Sequence, residues 1–179
     1  MPHRAVFPTG EPGCGKTSAI QRICDLLAIK GAKPGGIISR ESRVGGIRVG
    51  FTLEDLMTHQ TGSLAHIDLR DGPRVGKYRV NLDDIQRVGV MAMRRALAEA
   101  DVVIIDELGP MELHSTPFVL VVETALASQK PLVGTIHKHA THPLVAAIKS
   151  NPAYQVIEVT SDNREEIPKR IMELLNGHA

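Results

Sequence analysis

The chain has 179 residues, 23% of them charged, and a formal net charge of +1 at pH 7. This balance excludes a general attraction to nucleic acid or anionic membranes, and aromatic residues, at 3% with no tryptophan, are too few to stack single-stranded bases. Cys14 and Cys24 cannot form a disulfide framework, no apolar run approaches a membrane span, and the first residues lack a signal-peptide core. We therefore expect one cytoplasmic domain over residues 1–179, with an aliphatic core and no membrane partner.

The strongest motif lies between a short predicted strand at 4–7 and a helix predicted over 16–29. It fits the phosphate-binding pattern of a glycine, four free positions and then Gly-Lys-Ser/Thr. Glycines let successive backbone N–H groups point inward, and the helix directs its positive end at the same place. Lys16 can neutralise the β- and γ-phosphates, and the Thr17 hydroxyl can hold Mg²⁺. The predicted nucleotide-binding loop is Gly10, Glu11, Pro12, Gly13, Cys14, Gly15, Lys16 and Thr17.

Residues 37–68 are predicted to form a β-meander. An extended region begins at Ile37, a hairpin turn is expected at 44–46, and a second strand follows at 47–53. Another turn at 59–62 leads to a shorter extended piece at 63–68. We interpret this region as an insert placed early in an otherwise alternating chain.

The rest of the chain alternates helices with strands. The predicted elements are a helix capped by Asn81, a strand at 102–105, a helix at Pro117, a strand at 131–136, a short helix at Pro143, a strand at 155–159 and a terminal helix containing Pro168. This alternation predicts an α/β fold in three layers, with a mostly parallel central sheet and helices on both faces.

Two adjacent carboxylates follow the apolar strand at 102–105. Asp106 is expected at the carboxyl end of the sheet, beside the phosphate loop, where it can position Mg²⁺. Glu107 can orient and deprotonate a water molecule that attacks the γ-phosphate. The alternative is an ordinary acidic loop at a strand end. An adjacent Asp-Glu pair favours NTPases that activate water over small-molecule kinases.

The transition state of γ-phosphoryl transfer also needs positive charge beyond Lys16. The candidate cations are Arg40, Arg43, Lys77, Arg79 and Arg164, although a residue of this kind, taken by itself, is more often a solvated surface cation. Glu41 can pair with Arg40 or Arg43 or face the metal. The histidines at 137, 139 and 142 lack cysteine partners and a regular ligand spacing, so we expect surface or phosphate-proximal histidines there rather than a metal site.

Taken together, these motifs resemble the thermophile and cancer-related nucleoside-triphosphatase family, which belongs to the P-loop NTPases. The resemblance covers nearly the whole chain and rests on residues 10–17, 35–43, 75–78, 106–113, 142–145 and 160–164. It implies Mg²⁺-dependent hydrolysis of ATP, GTP and other nucleoside triphosphates, with Lys16 and Glu107 catalytic and Thr17 and Asp106 at the metal. It also implies that the nucleotide is lined by Val102, Val103, Ile104, Ile105, Asp106, Glu107, Leu108 and Gly109, with Arg164 a further candidate near the base or the phosphates.

The sequence departs from the family pattern at several places: Pro8 in the first strand, Arg79 after Lys77-Tyr78, His137-Lys138, and Pro168 in the last helix. No stretch resembles the Asn-Lys-x-Asp guanine reader, so we expect broad base tolerance. Two alternatives stay open: a kinase for a small molecule or a polynucleotide end, with hydrolysis as a leak, and a nucleotide-dependent switch or assembly factor for an unknown protein partner.

Overall fold

A computed structural model describes residues 4–177. The elements are β1 (Ala5–Gly10), α1 (Lys16–Ile29), β2 (Pro34–Val44), β3 (Ile47–Asp55), β4 (Thr61–His66), β5 (Arg74–Val75), β6 (Tyr78–Val80), α2 (Leu82–Asp84), a π-helical stretch (Ile85–Val90), α3 (Met91–Glu99), β7 (Val102–Leu108), a 3₁₀ turn (Glu112–His114), α4 (Thr116–Ala127), β8 (Leu132–His137), α5 (Pro143–Ser150), β9 (Tyr154–Glu158) and α6 (Ile167–Asn176).

These strands form one sheet in the order β5-β6-β4-β3-β2-β7-β8-β1-β9. The pairings from β2 to β9 are parallel, and those from β2 outward to β5 are antiparallel. Strand β2 belongs to both halves, because it pairs with β7 on one side and with β3 on the other. The predicted meander is therefore a continuation of the parallel sheet: β2 begins at Pro34 in its parallel pairing with β7, and its antiparallel pairing with β3 begins at Ile37, the predicted start.

The central strands of the parallel part of the sheet, β1, β7 and β8, are buried on both faces. Successive side chains of β7 point to opposite sides, so Val102 and Ile104 join the cluster formed with α1 and α6, whereas Val103 and Ile105 join the cluster formed with α3 and α4. Both clusters are mainly aliphatic, as the composition predicts. This packing produces the three layers and leaves only the carboxyl end of β7 to carry polar groups into a site.

The two unusual prolines are accommodated within regular elements. Pro8 lies inside β1, which extends to Gly10 and is longer than the strand predicted at 4–7. Pro168 lies in the first turn of α6, where a missing N–H costs no helical hydrogen bond. No helix between residues 4 and 177 is long and apolar enough to cross a bilayer. Location in the cytoplasm stays a prediction.

Candidate active site

The loop between β1 and α1 has the backbone of an anion site. Gly13 and Gly15 have φ angles of 77° and 111°, values that favour glycine. Gly15 immediately precedes α1, and no side chain among residues 4–177 caps the amino terminus of that helix. The N–H groups of its first turn are therefore available to a ligand, and the helix dipole favours a negative one.

Lys16 is almost fully buried in this loop, at 8% exposure. Its ammonium donates hydrogen bonds to the carbonyl oxygens of Gly10 (2.8 Å) and Glu11 (3.2 Å). These bonds hold the charge over the loop interior. A phosphate group arriving there would offer the ammonium a charged acceptor in exchange for two neutral ones.

Asp106 lies at the end of the apolar run of β7 and is 1% exposed. The Thr135 hydroxyl donates a 2.6 Å hydrogen bond to its Oδ1, while Oδ2 is buried and has no partner within residues 4–177. Burial raises the pKa of this carboxyl, and Thr135, Thr17 and Lys16 oppose that rise. A buried carboxylate oxygen without a partner, next to the Thr17 hydroxyl, fits the oxygen ligands that Mg²⁺ takes.

Glu107 follows at once and lines the same cavity. Burial and, to a smaller extent, the charge of the neighbouring Asp106 raise the pKa of its carboxyl against the opposing charge of Lys16, to about 7 in total. The side chain therefore titrates near neutrality, where a carboxyl group can both accept and release a proton.

Glu112, in the 3₁₀ turn after β7, is a third carboxyl group of this site that sequence reasoning left without a role. It is 4% exposed and lines the cavity. Glu112 Oε2 and Glu107 Oε1 lie 3.0 Å and 3.2 Å from the point where a Cβ on Gly109 would stand, so both carboxyl groups lie over that glycine. Burial and the charge of Glu107 raise the pKa of Glu112 to about 8.

A cavity of about 720 Å³ joins these groups. Of the predicted residues, it brings together Pro12, Gly13, Gly15, Lys16, Thr17, Asp106 and Glu107. Its opposite wall comes from the antiparallel strands and consists of Arg48, Phe51, Leu64, Val75 and Tyr78. Sequence reasoning missed this wall. The sequence offered two indirect signals for it: residues 47–53 form a predicted strand, and residues 75–78 are part of the family resemblance.

A second cavity of about 350 Å³ lies on the other side of the phosphate loop. Glu11 and Cys14 line it together with Arg164, the candidate carried over from the family. Arg164 packs over Gly15, where an added Cβ would lie 3.3 Å from its Cδ.

The structure does not place Val102, Val103, Ile104 and Ile105 at either cavity, although the resemblance assigned them to the nucleotide. Their side chains fill the two hydrophobic clusters. Leu108 is also buried, and neither it nor Gly109 and Gly10 is among the cavity-lining residues. A strand buried on both faces can present only its end to a ligand, which explains why the site begins at Asp106.

The five candidate cations lie apart from one another. Arg40 lines the large cavity and is 3.5 Å from Glu54. Arg43 donates to Glu41 and to the Gly46 carbonyl at the tip of the β2–β3 hairpin. Lys77 lies over the ring of Tyr78, Arg79 donates to the Gly72 carbonyl, and Arg164 borders the second cavity.

The rings of His137 and His139 lie edge to face, with centroids 6.0 Å apart, but the three histidines have different partners. His137 lines the large cavity, His139 lies 3.5 Å from Glu11, and His142 caps α5 by accepting from the Leu144 N–H. Within the described part of the chain, no group of three or more His, Cys, Asp or Glu side chains is arranged to hold a metal ion.

The chain is similar to known nucleoside-triphosphatases over most of its length. A family model described as NTPase matches residues 5–172. The protein of Methanosarcina acetivorans named nucleoside-triphosphatase THEP1 is 46% identical over 164 residues, which cover 91% of each chain. The protein of the same name from Thermofilum pendens is 43% identical over 164 residues, which cover 91% of this chain and 90% of the relative.

Two solved structures share the fold. The crystal structure of THEP1 from Aquifex aeolicus has a TM-score of 0.86 and 32% identity, with 96% of this chain and 98% of that chain covered. The solution structure of a human cancer-related nucleoside triphosphatase has a TM-score of 0.82 and 31% identity, with 98% and 99% covered. These similarities confirm the family resemblance, the α/β fold and the enzyme class predicted from the sequence. The chain therefore belongs to the NTPase family whose model spans residues 5–172, and it is a nucleoside-triphosphatase.

Proposed function

We propose that this enzyme hydrolyses nucleoside triphosphates to nucleoside diphosphates and phosphate, that it requires Mg²⁺, and that it discriminates weakly among bases. One observation carries the proposal: Lys16, Asp106 and Glu107 line a single cavity at the uncapped amino terminus of α1. One site thus contains a residue for phosphate binding, a residue for metal binding and a residue for water activation.

The phosphate loop binds the triphosphate. The N–H groups of the loop and of the first turn of α1 donate to phosphate oxygens, and Lys16 leaves the carbonyls of Gly10 and Glu11 to meet the negative charge. This charge is held in place before the reaction begins, so it stabilises the transition state without reorganisation.

Thr17 and Asp106 are the residues that would hold Mg²⁺. Their hydroxyl and carboxylate oxygens suit that ion, and Asp106 Oδ2 is buried without another partner in residues 4–177. When bound, Mg²⁺ supplies positive charge that neutralises the β- and γ-phosphates. Thr135 keeps the Asp106 carboxylate in one orientation.

Glu107 acts on the attacking water. Its carboxylate accepts a hydrogen bond from the water, holds it in line with the γ-phosphorus and takes its proton as the new bond forms. A pKa of about 7 suits this task, because the carboxylate is substantially ionised at neutral pH and basic enough to accept a proton.

Weak base discrimination follows from the second cavity. If the phosphates occupy the loop, the nucleoside extends to the side where Arg164 packs over Gly15. An arginine can stack on any base, because every base has a π face, whereas selective recognition needs fixed donors and acceptors along the base edge.

Phosphate release from ATP, GTP, CTP and UTP, measured with Mg²⁺ and without any acceptor, tests the proposal. We expect all four to be hydrolysed, turnover to stop in excess chelator and Mg²⁺ to restore it. A preference of about a hundredfold for one base, equivalent to about 2.7 kcal/mol, would contradict the base tolerance. Full activity in chelator would contradict the metal requirement. Formation of nucleoside diphosphate only when an acceptor is added, without release of phosphate, would favour the kinase alternative, because a kinase transfers the γ-phosphoryl group to its acceptor.

A further inference from the structure

The end of the large cavity farthest from the phosphate loop is not used by hydrolysis. It is formed by the antiparallel strands: Phe51 on β3, Leu64 on β4, Val75 on β5 and Tyr78 on β6. Strand β2 separates β3 from β7, and neighbouring strands lie about 4.8 Å apart, so Phe51 lies on a strand roughly 10 Å across the sheet from Asp106. A second small molecule therefore has room beyond the catalytic carboxylates.

The nucleoside does not need this space. The second cavity lies beside the phosphate loop and is bordered by residues 158–161 after β9 and by Arg164. Strand β9 is at the edge of the sheet opposite the antiparallel strands. A triphosphate that runs from the second cavity through the loop to Asp106 leaves the far end of the large cavity open.

The chemistry of this end is specific. Phe51 and Tyr78 form an edge-to-face pair with ring centroids 5.2 Å apart. The Arg48 guanidinium lies over both rings, 5.2 Å from the centroid of Phe51 and 5.8 Å from that of Tyr78. Phe51 and Val75 are partly exposed and offer apolar contact to a flat molecule, whereas Tyr78 and Leu64 are buried, at 5% and 2% exposure.

Arg48 is held in place but keeps hydrogen-bonding capacity. Its Nε donates to the Tyr78 hydroxyl (2.9 Å) and its Nη1 to Glu41 (3.0 Å), while Nη2 has no hydrogen-bond partner within residues 4–177. Arg40 also lines the cavity, but it lies 3.5 Å from Glu54, so its charge is offset as that of Arg48 is by Glu41. A planar, oriented guanidinium with free N–H groups is suited to a carboxylate or another oxyanion.

We propose that the cavity end formed by Arg48, Phe51, Leu64, Val75 and Tyr78 is a subsite for a planar organic anion, such as an aromatic carboxylate, that binds together with the triphosphate. The aromatic body packs on the apolar wall and the anionic group bonds Arg48. The inference rests on the proposed function only in assigning the phosphate-loop side of the cavity to the triphosphate.

The test is a calorimetric titration of the full chain with 2-naphthoate, an aromatic carboxylate, and with 2-naphthamide, its neutral counterpart. It is done without nucleotide and with a saturating non-hydrolysable ATP analogue and Mg²⁺. We expect one equivalent of naphthoate to bind in both conditions, and roughly tenfold weaker binding of naphthamide, because a hydrogen bond to a charged group is lost.

Arg48→Gln should weaken naphthoate binding by roughly tenfold for the same reason. Arg43→Gln is the matched control. Arg43 belongs to the same hairpin and also bonds Glu41, but it is not among the residues that line the cavity, so binding should stay within about twofold of wild type. The comparison of naphthoate with naphthamide needs only wild-type protein, so it still tests recognition of the anionic group if a variant folds poorly.

Three results would overturn the subsite: no saturable naphthoate binding, competition between naphthoate and the ATP analogue, or equal affinity for naphthoate and naphthamide. Competition would indicate that the aromatic wall takes the base of the nucleotide. Phosphate release by the same preparation separates the two proposals, since an active enzyme that fails to bind naphthoate keeps its proposed function and loses only the subsite.

Discussion

Thr135 and Asp106 form a fully buried hydrogen bond of 2.6 Å between neighbouring parallel strands, β8 and β7. The bond occupies one oxygen of the carboxylate and leaves the other, Oδ2, without a partner in residues 4–177. Thr135 thus sets the direction in which the free oxygen points. The same bond helps to counter the rise in the pKa of Asp106 that burial produces, so it also favours the ionised form that binds metal.

Thr135→Val should weaken Mg²⁺ binding while preserving the fold. Valine fills nearly the same volume, but it cannot donate, and the loss of a hydrogen bond to a charged acceptor costs about 1.5–3 kcal/mol. We expect the Mg²⁺ concentration that gives half-maximal turnover to rise roughly tenfold. Thr124→Val, on the exposed face of α4, is the matched control. An unchanged Mg²⁺ requirement in Thr135→Val would show that the hydroxyl does not orient the metal ligand.

The catalytic end of the site could be predicted because its signals are local. The phosphate loop is a contiguous motif whose glycines, lysine and threonine each have a defined task, and Asp106 follows a run of four β-branched residues that only a doubly buried strand would tolerate. The resemblance also assigns Val102 to Ile105 to the nucleotide, and that assignment stays a prediction, although these residues line neither cavity. A resemblance in sequence does not show which way each side chain points. In the structure the side chains of this strand alternate between the two hydrophobic clusters.

The aromatic wall could not be predicted, because it depends on long-range pairing. Arg48 meets Tyr78 across thirty positions of sequence, and only the order β3-β4-β6 in the sheet brings them together. Glu112 is a different case. Its position in the sequence motif could be read, but its burial could not, because glutamate is rarely buried. The residues around it also do not predict the 3₁₀ turn that brings its carboxyl group beside that of Glu107 over Gly109.

Lys16→Ala should abolish turnover and weaken triphosphate binding without unfolding the protein. Lys16 bonds only loop carbonyls and contributes nothing to the hydrophobic clusters. Lys30→Ala, at the exposed other end of α1, provides the control for loss of a lysine. Thermal melting checks the fold, calorimetry with an ATP analogue measures affinity, and phosphate release measures turnover. Turnover like that of wild type in Lys16→Ala would exclude the phosphate-loop assignment.

Glu112 should make the stability of the protein depend on pH. Its pKa is about 8 in the folded protein and 4.5 for an ordinary glutamate, so between these values the folded state binds one proton more than the unfolded state. The stability that this group contributes is complete below pH 4.5 and is lost as the pH rises through about 8. The free energy of unfolding therefore falls by about 1.4 kcal/mol per pH unit in that window.

Glu112→Gln should remove this dependence, because glutamine remains neutral at every pH. We expect the variant to gain stability relative to wild type from pH 5 to pH 8 and the difference to level off above pH 8, as measured by denaturant unfolding at each pH. Glu99→Gln, an exposed position at the end of α3, should track wild type throughout. A difference between Glu112→Gln and wild type that is constant with pH would mean that the Glu112 carboxyl is already ionised in the folded protein.

Removing the charge of Glu107 should slow hydrolysis without weakening phosphate binding. Glu107→Gln preserves the size of the side chain and one hydrogen-bond acceptor but removes the basicity, and a lost general base costs about 10²- to 10⁴-fold in rate. Triphosphate affinity should survive, because Lys16, the loop amides and Mg²⁺ still hold the phosphates. Asp106→Asn should differ by weakening the response to Mg²⁺ and turnover together.

The dependence of kcat/KM on pH provides a second test of the role of Glu107. The pKa of Glu107 is raised to about 7, so the basic form is lost as the pH falls through 7, and kcat/KM of wild type should decline tenfold per unit below that value. In Glu107→Gln the residual rate should lose this inflection, whereas Glu123→Gln, exposed on α4, should keep both the rate and the profile of wild type. Single-turnover phosphate release gives the rates, and titration of a fluorescent ATP analogue gives the affinity. If Glu107→Gln releases phosphate within a few-fold of wild type and keeps the inflection, another group activates the water, and the kinase and switch alternatives gain support.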